Sequence, residues 1–167
     1  MKGYGISVTY GRLPREMRDA PAAIVKRGQK AALAVALPYM QRRLSLVTPT
    51  GATGKARQSV TTETGFTGDH GFVGYGGYPS TYIGFVNDGT RPHWPPIEAM
   101  AYWAARKFGY AVGSAEARRM GFLVARSISR KGTKGQHFIE TIVARERSRV
   151  QAMMYGAVLQ KLHERGR

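Results

Sequence analysis

Apolar and polar positions alternate in two different ways along this chain of 167 residues. Near the N-terminus the alternation has a period of two, which is typical of a half-buried strand, and residues 56–86 contain short β-rich segments separated by glycine-rich turns. Elsewhere apolar residues recur at helical spacing, with basic side chains on the other faces. The pattern predicts one α+β domain over residues 1–167, with a central antiparallel β-sheet of three or four strands packed by a long N-terminal helix and flanked by C-terminal helices.

The predicted elements are a strand at 5–10, a helix at about 21–46, a β-meander at 56–86, and helices at about 96–108, 115–130 and 138–164. The meander consists of three β-rich segments, 56–64, 71–77 and 81–86, separated by glycine-rich turns. Its many aromatic side chains can pack in a core, contact another subunit or stack on nucleobases. Stacking on nucleobases is disfavoured because this region has almost no basic charge to follow a nucleic-acid backbone. Core and subunit contacts are therefore favoured, and the glycines predict a mobile hairpin.

Residues 87–90 mark a sharp change of direction at the end of the meander. Asn87, Asp88 and Gly89 tolerate positive φ, and Gly89 is expected to adopt a conformation closed to residues with a Cβ atom. Two prolines at 95 and 96 then predict the start of a helix, so the chain is predicted to turn from a strand into a helix. His93 and Trp94, directly before these prolines, suggest a catalytic or stacking role. At such a corner, however, a packing plug is favoured, that is, side chains that fill the core.

The basic charge is concentrated on the predicted helical parts. The net charge of +16 divides into +7 for residues 1–50, −1 for residues 51–100 and +10 for residues 101–167. Such a surface attracts polyanions without sequence preference. Because solubility alone does not require so one-sided a charge, a polyanion or an acidic partner is favoured. The absence of cysteine excludes a disulfide framework and a thiolate metal site. No apolar run has the length of a membrane span, so a soluble product made in the cytoplasm is expected.

The sequence has no pattern that is typical of an enzyme. The four histidines show no metal-ligand spacing, the ten carboxylates form no evident acid–base pair, and no nucleophile motif occurs. The segment TPTGATG at 48–54 lacks the lysine of a phosphate-binding loop, which argues against a nucleotide site there. The segment RKGTKG at 130–135 is predicted either to contact phosphates or to be a solvated connection. We therefore expect no enzymatic activity, no cofactor and no metal site.

The long basic helix is followed by three short motifs: TPTGATGKARQS at 48–59, FVNDGT at 85–90 and GTKGQHF at 132–138. This succession resembles the tail-component or neck-protein family of long-tailed bacteriophages, and it covers most of the chain. The family shows a Pro-x-x-Thr-Gly-x-Leu-x-x-Ser segment, a Phe-Val-Glu-x-Gly-Thr type motif, and a Gly-Thr-x-x-x-Pro-Phe segment. The sequence departs from this pattern at Ala56, where leucine is usual, at Asn87, where an acid is usual, and at His137, where proline is usual.

The resemblance implies a non-enzymatic virion protein of the head–tail junction that assembles in the host cytoplasm as a ring around the DNA exit channel. A hexamer is favoured, with a dodecamer as the alternative. The implied partners are head-closure or adaptor proteins, tail-terminator or tail-tube proteins, and the double-stranded DNA that passes through. The other hypothesis is a stand-alone basic protein that binds nucleic acid without sequence preference. Candidate DNA or lumen contacts are Arg126, Arg130, Lys131 and Lys134, and candidate subunit contacts are Tyr75, Tyr78, Tyr82, Arg91 and Trp94.

Overall fold

The structure is a computed structural model that describes residues 4–9, 15, 20–65, 68–77 and 79–164, without the side chains of residues 79–81. The fold is mixed α+β, with a small antiparallel sheet packed against helices, as the hydrophobic pattern predicts. In chain order the elements are β1 (Gly5–Thr9), α1 (Ala22–Val47), α2 (Lys55–Gln58), β2 (Val60–Thr64), β3 (His70–Tyr75), α3 (Pro79–Asp88), β4 (Gly89–Thr90), α4 (Ile97–Phe108), α5 (Ala115–Lys131), β5 (Thr133–Lys134) and α6 (Phe138–His163). Within the described ranges, no helix is both long and apolar enough to cross a membrane.

The three-stranded sheet has the spatial order β1, β3, β2, and both pairings are antiparallel. Its central strand is β3, because Val73 pairs with Ile6 of β1 on one side and with Thr62 of β2 on the other. One face of the sheet packs against α1. Gly71 lies so close to this helix that an added Cβ would be 2.7 Å from a methyl group of Leu37. The first long helix therefore covers the sheet, as predicted.

Helices α1 and α6 are each 26 residues long, and they pack along each other to complete the main core. Glu146 of α6 is almost fully buried in this interface. Its carboxylate pairs with the Arg43 guanidinium at 2.5 Å and accepts a hydrogen bond from the Tyr39 hydroxyl at 2.5 Å. The hydrogen bond from Tyr39, with the neighbouring arginine, holds the pKa of Glu146 below its ordinary value. This buried carboxylate therefore links α6 to α1 by an ion pair and a hydrogen bond.

The prediction of a strand at 81–86 is wrong, because these residues lie within helix α3. Ile83 and Asn87, four positions apart, are both buried, whereas Phe85 between them is 62% exposed. That spacing places the inward positions on one face of a helix. The change of direction at 87–90 therefore leads from a helix into a two-residue strand, and not from a strand into a helix. Residues 55–58 also form a short helix where the first strand of the meander was predicted to begin.

The second sheet is a two-stranded antiparallel ribbon, in which Gly89 of β4 pairs with Lys134 of β5 and Thr90 pairs with Thr133. Gly89 has a φ of +82°, and an added Cβ would lie 2.3 Å from the Thr133 carbonyl oxygen. The prediction that this position is closed to residues with a Cβ is confirmed. The hydroxyls of Thr90 and Thr133 are hydrogen-bonded at 2.9 Å. The ribbon joins the segment that contains α4 and α5 to the main core.

The three C-terminal helices begin and end close to their predicted bounds. Ile97 begins α4 directly after the two prolines, and Gly109 ends it with a left-handed φ of +76°. The Ser114 side chain caps α5 by accepting a hydrogen bond from the amide of Ala117 at 3.2 Å. These local signals set the helix ends as the sequence indicates.

Candidate functional site

Helices α4 and α5 form a helical hairpin, residues 97–131, that packs mainly on itself. Gly121 of α5 lies so close to α4 that an added Cβ would be 2.4 Å from the backbone nitrogen of Ala101. The buried residues of the hairpin are small, and none belongs to the main core: Ala101, Ala104, Ala105, Ala117, Gly121 and Ala125. These small residues let the backbones of α4 and α5 approach closely. The larger apolar side chains of the two helices therefore lie outside the interface between them.

Six of the eleven exposed large apolar side chains of the described structure lie between residues 94 and 123. Trp94 is 52% exposed and contacts Phe122 edge to face, with ring centroids 6.0 Å apart. Phe108 is 49% exposed and contacts Trp103 in the same way at 5.9 Å. We call the set of six the hairpin apolar surface: Trp94, Tyr102, Phe108, Val112, Phe122 and Leu123. Exposed apolar side chains concentrated in one segment of a protein make that segment a candidate interaction surface.

One side of α5 carries a row of arginines. Arg119, Arg126 and Arg130 are all exposed, and at 100° per residue they lie within roughly 40° of one another around the helix axis. Lys131 and Lys134 are also exposed and continue the basic charge to the ribbon. The four candidate DNA contacts are thus gathered at the ribbon end of the hairpin. This arrangement places basic charge and apolar surface on the same pair of helices.

The candidate subunit contacts fall in different places. Arg91 and Trp94 are exposed at the base of the hairpin, and Tyr82 is half-buried against the main core. The assignment of Tyr75 to a subunit contact is corrected, because its side chain is only 5% exposed and its hydroxyl is hydrogen-bonded to that of Thr48 at 2.6 Å. Burial raises the pKa of Tyr75 to about 12. Tyr78 lies outside the described residues.

The interpretation of His93 and Trp94 as a packing plug is also wrong. His93 is exposed, and its ring nitrogen Nδ1 lies 2.9 Å from the carbonyl oxygen of Arg91. Trp94 has half of its surface accessible, so it does not fill the core. Pro95 is the buried residue at this point. The indole is therefore available to a partner.

The ribbon brings together two of the three motifs that carry the family resemblance. The motif at 85–90 contains β4, and the motif at 132–138 contains β5. Each of the two motifs contributes one strand to the ribbon. Their glycines fit this packing, because a Cβ at Gly132 would lie 2.0 Å from the Thr90 carbonyl oxygen and one at Gly135 would lie 2.6 Å from the Asp88 carbonyl carbon. The motifs thus form the base of the hairpin.

Asn87 organises the junction beside the ribbon and is only 1% exposed. Its amide nitrogen donates to Asp88 at 2.7 Å and to Glu140 at 2.9 Å, and its amide oxygen accepts from the Ile139 amide at 3.1 Å. A hydrogen bond from the Tyr4 hydroxyl, with the one from Asn87, lowers the pKa of Asp88. This cluster was not predicted from the sequence. The available signal was an imidazole three residues before a carboxylate, at 137 and 140, where a helix begins.

No family model, curated protein or solved structure matches this chain significantly.

Proposed function

We propose that this chain is a structural virion protein of a bacteriophage head–tail junction, acting in the neck or in tail completion, and that it assembles as a ring around the DNA exit channel. The observation that carries the proposal is the helical hairpin, which has exposed apolar side chains on both helices and a row of arginines on α5. The resemblance of the motifs at its base to phage neck proteins supports the same function. In the virion the ring contacts head-closure or adaptor proteins and tail-terminator or tail-tube proteins.

The hairpin apolar surface supplies the contact between neighbouring copies. A large aromatic side chain buries about 150–250 Å² when it is covered completely. The six members are about half exposed, so covering them removes roughly 600 Å² of apolar area from water, which is worth at most about 15 kcal/mol. Association costs about 4–15 kcal/mol in lost freedom. The upper estimate of the apolar gain exceeds all but the top of this cost range, so the surface can support a contact if the loss of freedom is not at its maximum. A head-to-tail contact that closes on itself makes a ring.

The arginine row supplies contacts to DNA. Exposed arginines without a base-reading motif neutralise phosphates and carry no sequence information. Proteins that line a channel for a whole genome need this property, because every sequence must pass. A hexamer is the favoured ring, and a dodecamer is the alternative.

Mass photometry of the untagged protein tests the assembly. Six copies of the 18.4 kDa chain give about 110 kDa. The double variant Trp94→Ser with Phe122→Ser should remain helical by circular dichroism and become monomeric. The matched control replaces two exposed apolar residues of α1, Leu46 and Val35, by serine and should still form the ring. A wild-type chain that stays monomeric at all concentrations, alone and with its adaptor and tail-tube partners, would overturn the proposal, as would equal loss of assembly in the control.

The second candidate function is a stand-alone protein that binds nucleic acid without sequence preference. The exposed basic row of α5 is the observation that favours it. A monomer that binds short DNA duplexes tightly would support this function over the ring. A discrete ring that binds duplexes weakly would support the virion protein.

A further inference from the structure

Three side chains with metal-binding atoms meet beside the ribbon. Asp88 ends α3 immediately before β4, whereas His137 and Glu140 lie at the start of α6, just after β5. One ligand atom of each residue lies within 4.8 Å of the corresponding atoms of the other two. Ligands at about 2.0–2.2 Å from one cation are roughly 3–4 Å apart. All three side chains are exposed, so an ion can reach them from solvent.

We propose that Asp88, His137 and Glu140 bind one divalent cation of the zinc class, with the remaining coordination positions filled by water. The donor set is one imidazole nitrogen and carboxylate oxygens from two residues, which is typical of zinc and related first-row ions. Magnesium and calcium prefer sites made of oxygen atoms alone, so they are not expected to compete effectively. This proposal goes beyond the ring and does not depend on it.

The charge balance at the cluster supports a bound cation independently of the ligand geometry. The chain has a net charge of +16, yet within the described residues neither Asp88 nor Glu140 forms an ion pair with a lysine or arginine. Both carboxylates instead accept hydrogen bonds from neutral groups, because the Asn87 amide donates to both and the Tyr4 hydroxyl also donates to Asp88. A cation placed between the two carboxylates is attracted to both of them. The imidazole of His137 offers the third ligand atom.

Hydrogen bonds to Asn87 tie the start of α6 to the end of α3, and these two helix ends carry the three ligands. The amide of His137 donates to the carbonyl oxygen of Asn87 at 2.9 Å, and the amide of Ile139 donates to the Asn87 side chain. His137 has a φ of +47°, which turns the chain into α6 at this point. One buried residue thus sets the positions of both halves of the site. A bound ion would link α3 to α6 across the ribbon and so fix the base of the hairpin.

Isothermal titration of the untagged, metal-stripped full-length chain with zinc chloride tests the proposal. The expected result is saturable binding of one ion per chain. His137→Asn removes the imidazole and keeps a residue that tolerates positive φ. It should weaken zinc binding by about tenfold or more, as should Glu140→Gln. Cobalt(II) provides a second measurement, because binding at the site should change its visible d–d absorption, and His137→Asn should reduce or remove that change.

The control is the same substitution at the other close histidine–carboxylate pair. His70 pairs with Asp69 at 2.7 Å on the exposed end of β3, outside the three-ligand cluster. His70→Asn should leave zinc affinity unchanged. Absence of saturable binding, unchanged affinity in His137→Asn, or equal loss in His70→Asn would overturn the proposal. Mass photometry in EDTA distinguishes the two proposals. If the ring forms and the protein binds no zinc in the titration, the metal site is refuted and the proposed ring is not.

Discussion

Replacing Gly89 by alanine is expected to open the ribbon while the main core stays folded. Gly89 has a φ of +82°, and an added Cβ would lie 2.3 Å from the Thr133 carbonyl oxygen and 2.6 Å from the Gly135 amide nitrogen. Both atoms belong to the backbone of the opposite chain segment, so no side-chain rotation relieves the contact. The two strands must therefore separate.

The loss of stability in Gly89→Ala has two causes, backbone strain and broken ribbon hydrogen bonds, and a substitution at Gly113 measures the first of them alone. Gly113 also has a φ of +82°, but an added Cβ there has nothing within 4 Å. Alanine at Gly113 meets only the strain of the left-handed conformation, about 1 kcal/mol. At Gly89 the same strain is added to the loss of ribbon hydrogen bonds, each worth about 0.5–1.5 kcal/mol. We expect the free energy of unfolding to fall by about 1 kcal/mol in Gly113→Ala and by about 3 kcal/mol in Gly89→Ala.

Urea unfolding followed by circular dichroism measures both losses, and hydrogen exchange locates them. Exchange in Gly89→Ala should become faster at residues 89–90 and 132–135 and stay unchanged in α1 and α6. The larger Gly89→Val should remain soluble and helical yet fail to form rings or to complete virions in trans, because a small rotation of the hairpin repeats at every subunit. Equal losses in the two alanine variants, or normal assembly of Gly89→Val, would show that the ribbon does not position the hairpin.

Three further predictions concern other parts of the molecule. The pKa of Glu146 in the folded protein is lowered from its ordinary value of 4.5. The ionised carboxylate therefore stabilises the fold above pH 4.5, and this stabilisation is lost as the pH falls through the folded-state pKa. Glu146→Gln should therefore destabilise the fold at neutral pH and much less in acid, which urea unfolding at both pH values measures. Gly121→Ala should lower the free energy of unfolding by about 1–3 kcal/mol, because the added methyl group forces α4 away from α5. Gly156→Ala is the control at an open helical position and should raise the free energy of unfolding by up to about 1 kcal/mol. Thermal unfolding of both variants measures the difference. Arg130→Ala should lower the affinity for DNA and reduce the salt dependence of binding by the equivalent of about one phosphate contact. Arg145→Ala on α6 is the control and should change both quantities less. Fluorescence anisotropy of a labelled duplex at several salt concentrations measures both.

The long helices could be predicted from the sequence because their signals are local. Each has apolar positions that recur at helical spacing over many residues, and α5 has a capping serine at its start. The antiparallel sheet could be predicted because Ile6 and Val8 alternate with polar residues, as strands with one buried face do. The left-handed conformation of Gly89 was also predictable from its turn-forming neighbours.

The segment at 79–88 could not be assigned correctly because its apolar residues occur in adjacent pairs. Such pairs fit a strand buried on both faces and also fit one face of a helix, and only the surrounding structure decides between them. The two-residue strands of the ribbon have no periodicity at all, and their pairing joins residues 43 positions apart, as at Thr90 and Thr133. The same long-range pairing brings Asp88 to His137 and Glu140, which explains why the cluster was missed.

The most direct test of the proposed ring is a cryo-electron microscopy map of the assembled wild-type protein. The proposal predicts a closed ring in which each helical hairpin lies between neighbouring copies, with Trp94 and Phe122 covered and with Arg126 and Arg130 facing the central channel. A map in which the hairpins project freely from the assembly, or in which both arginines lie on the outer surface, would contradict it.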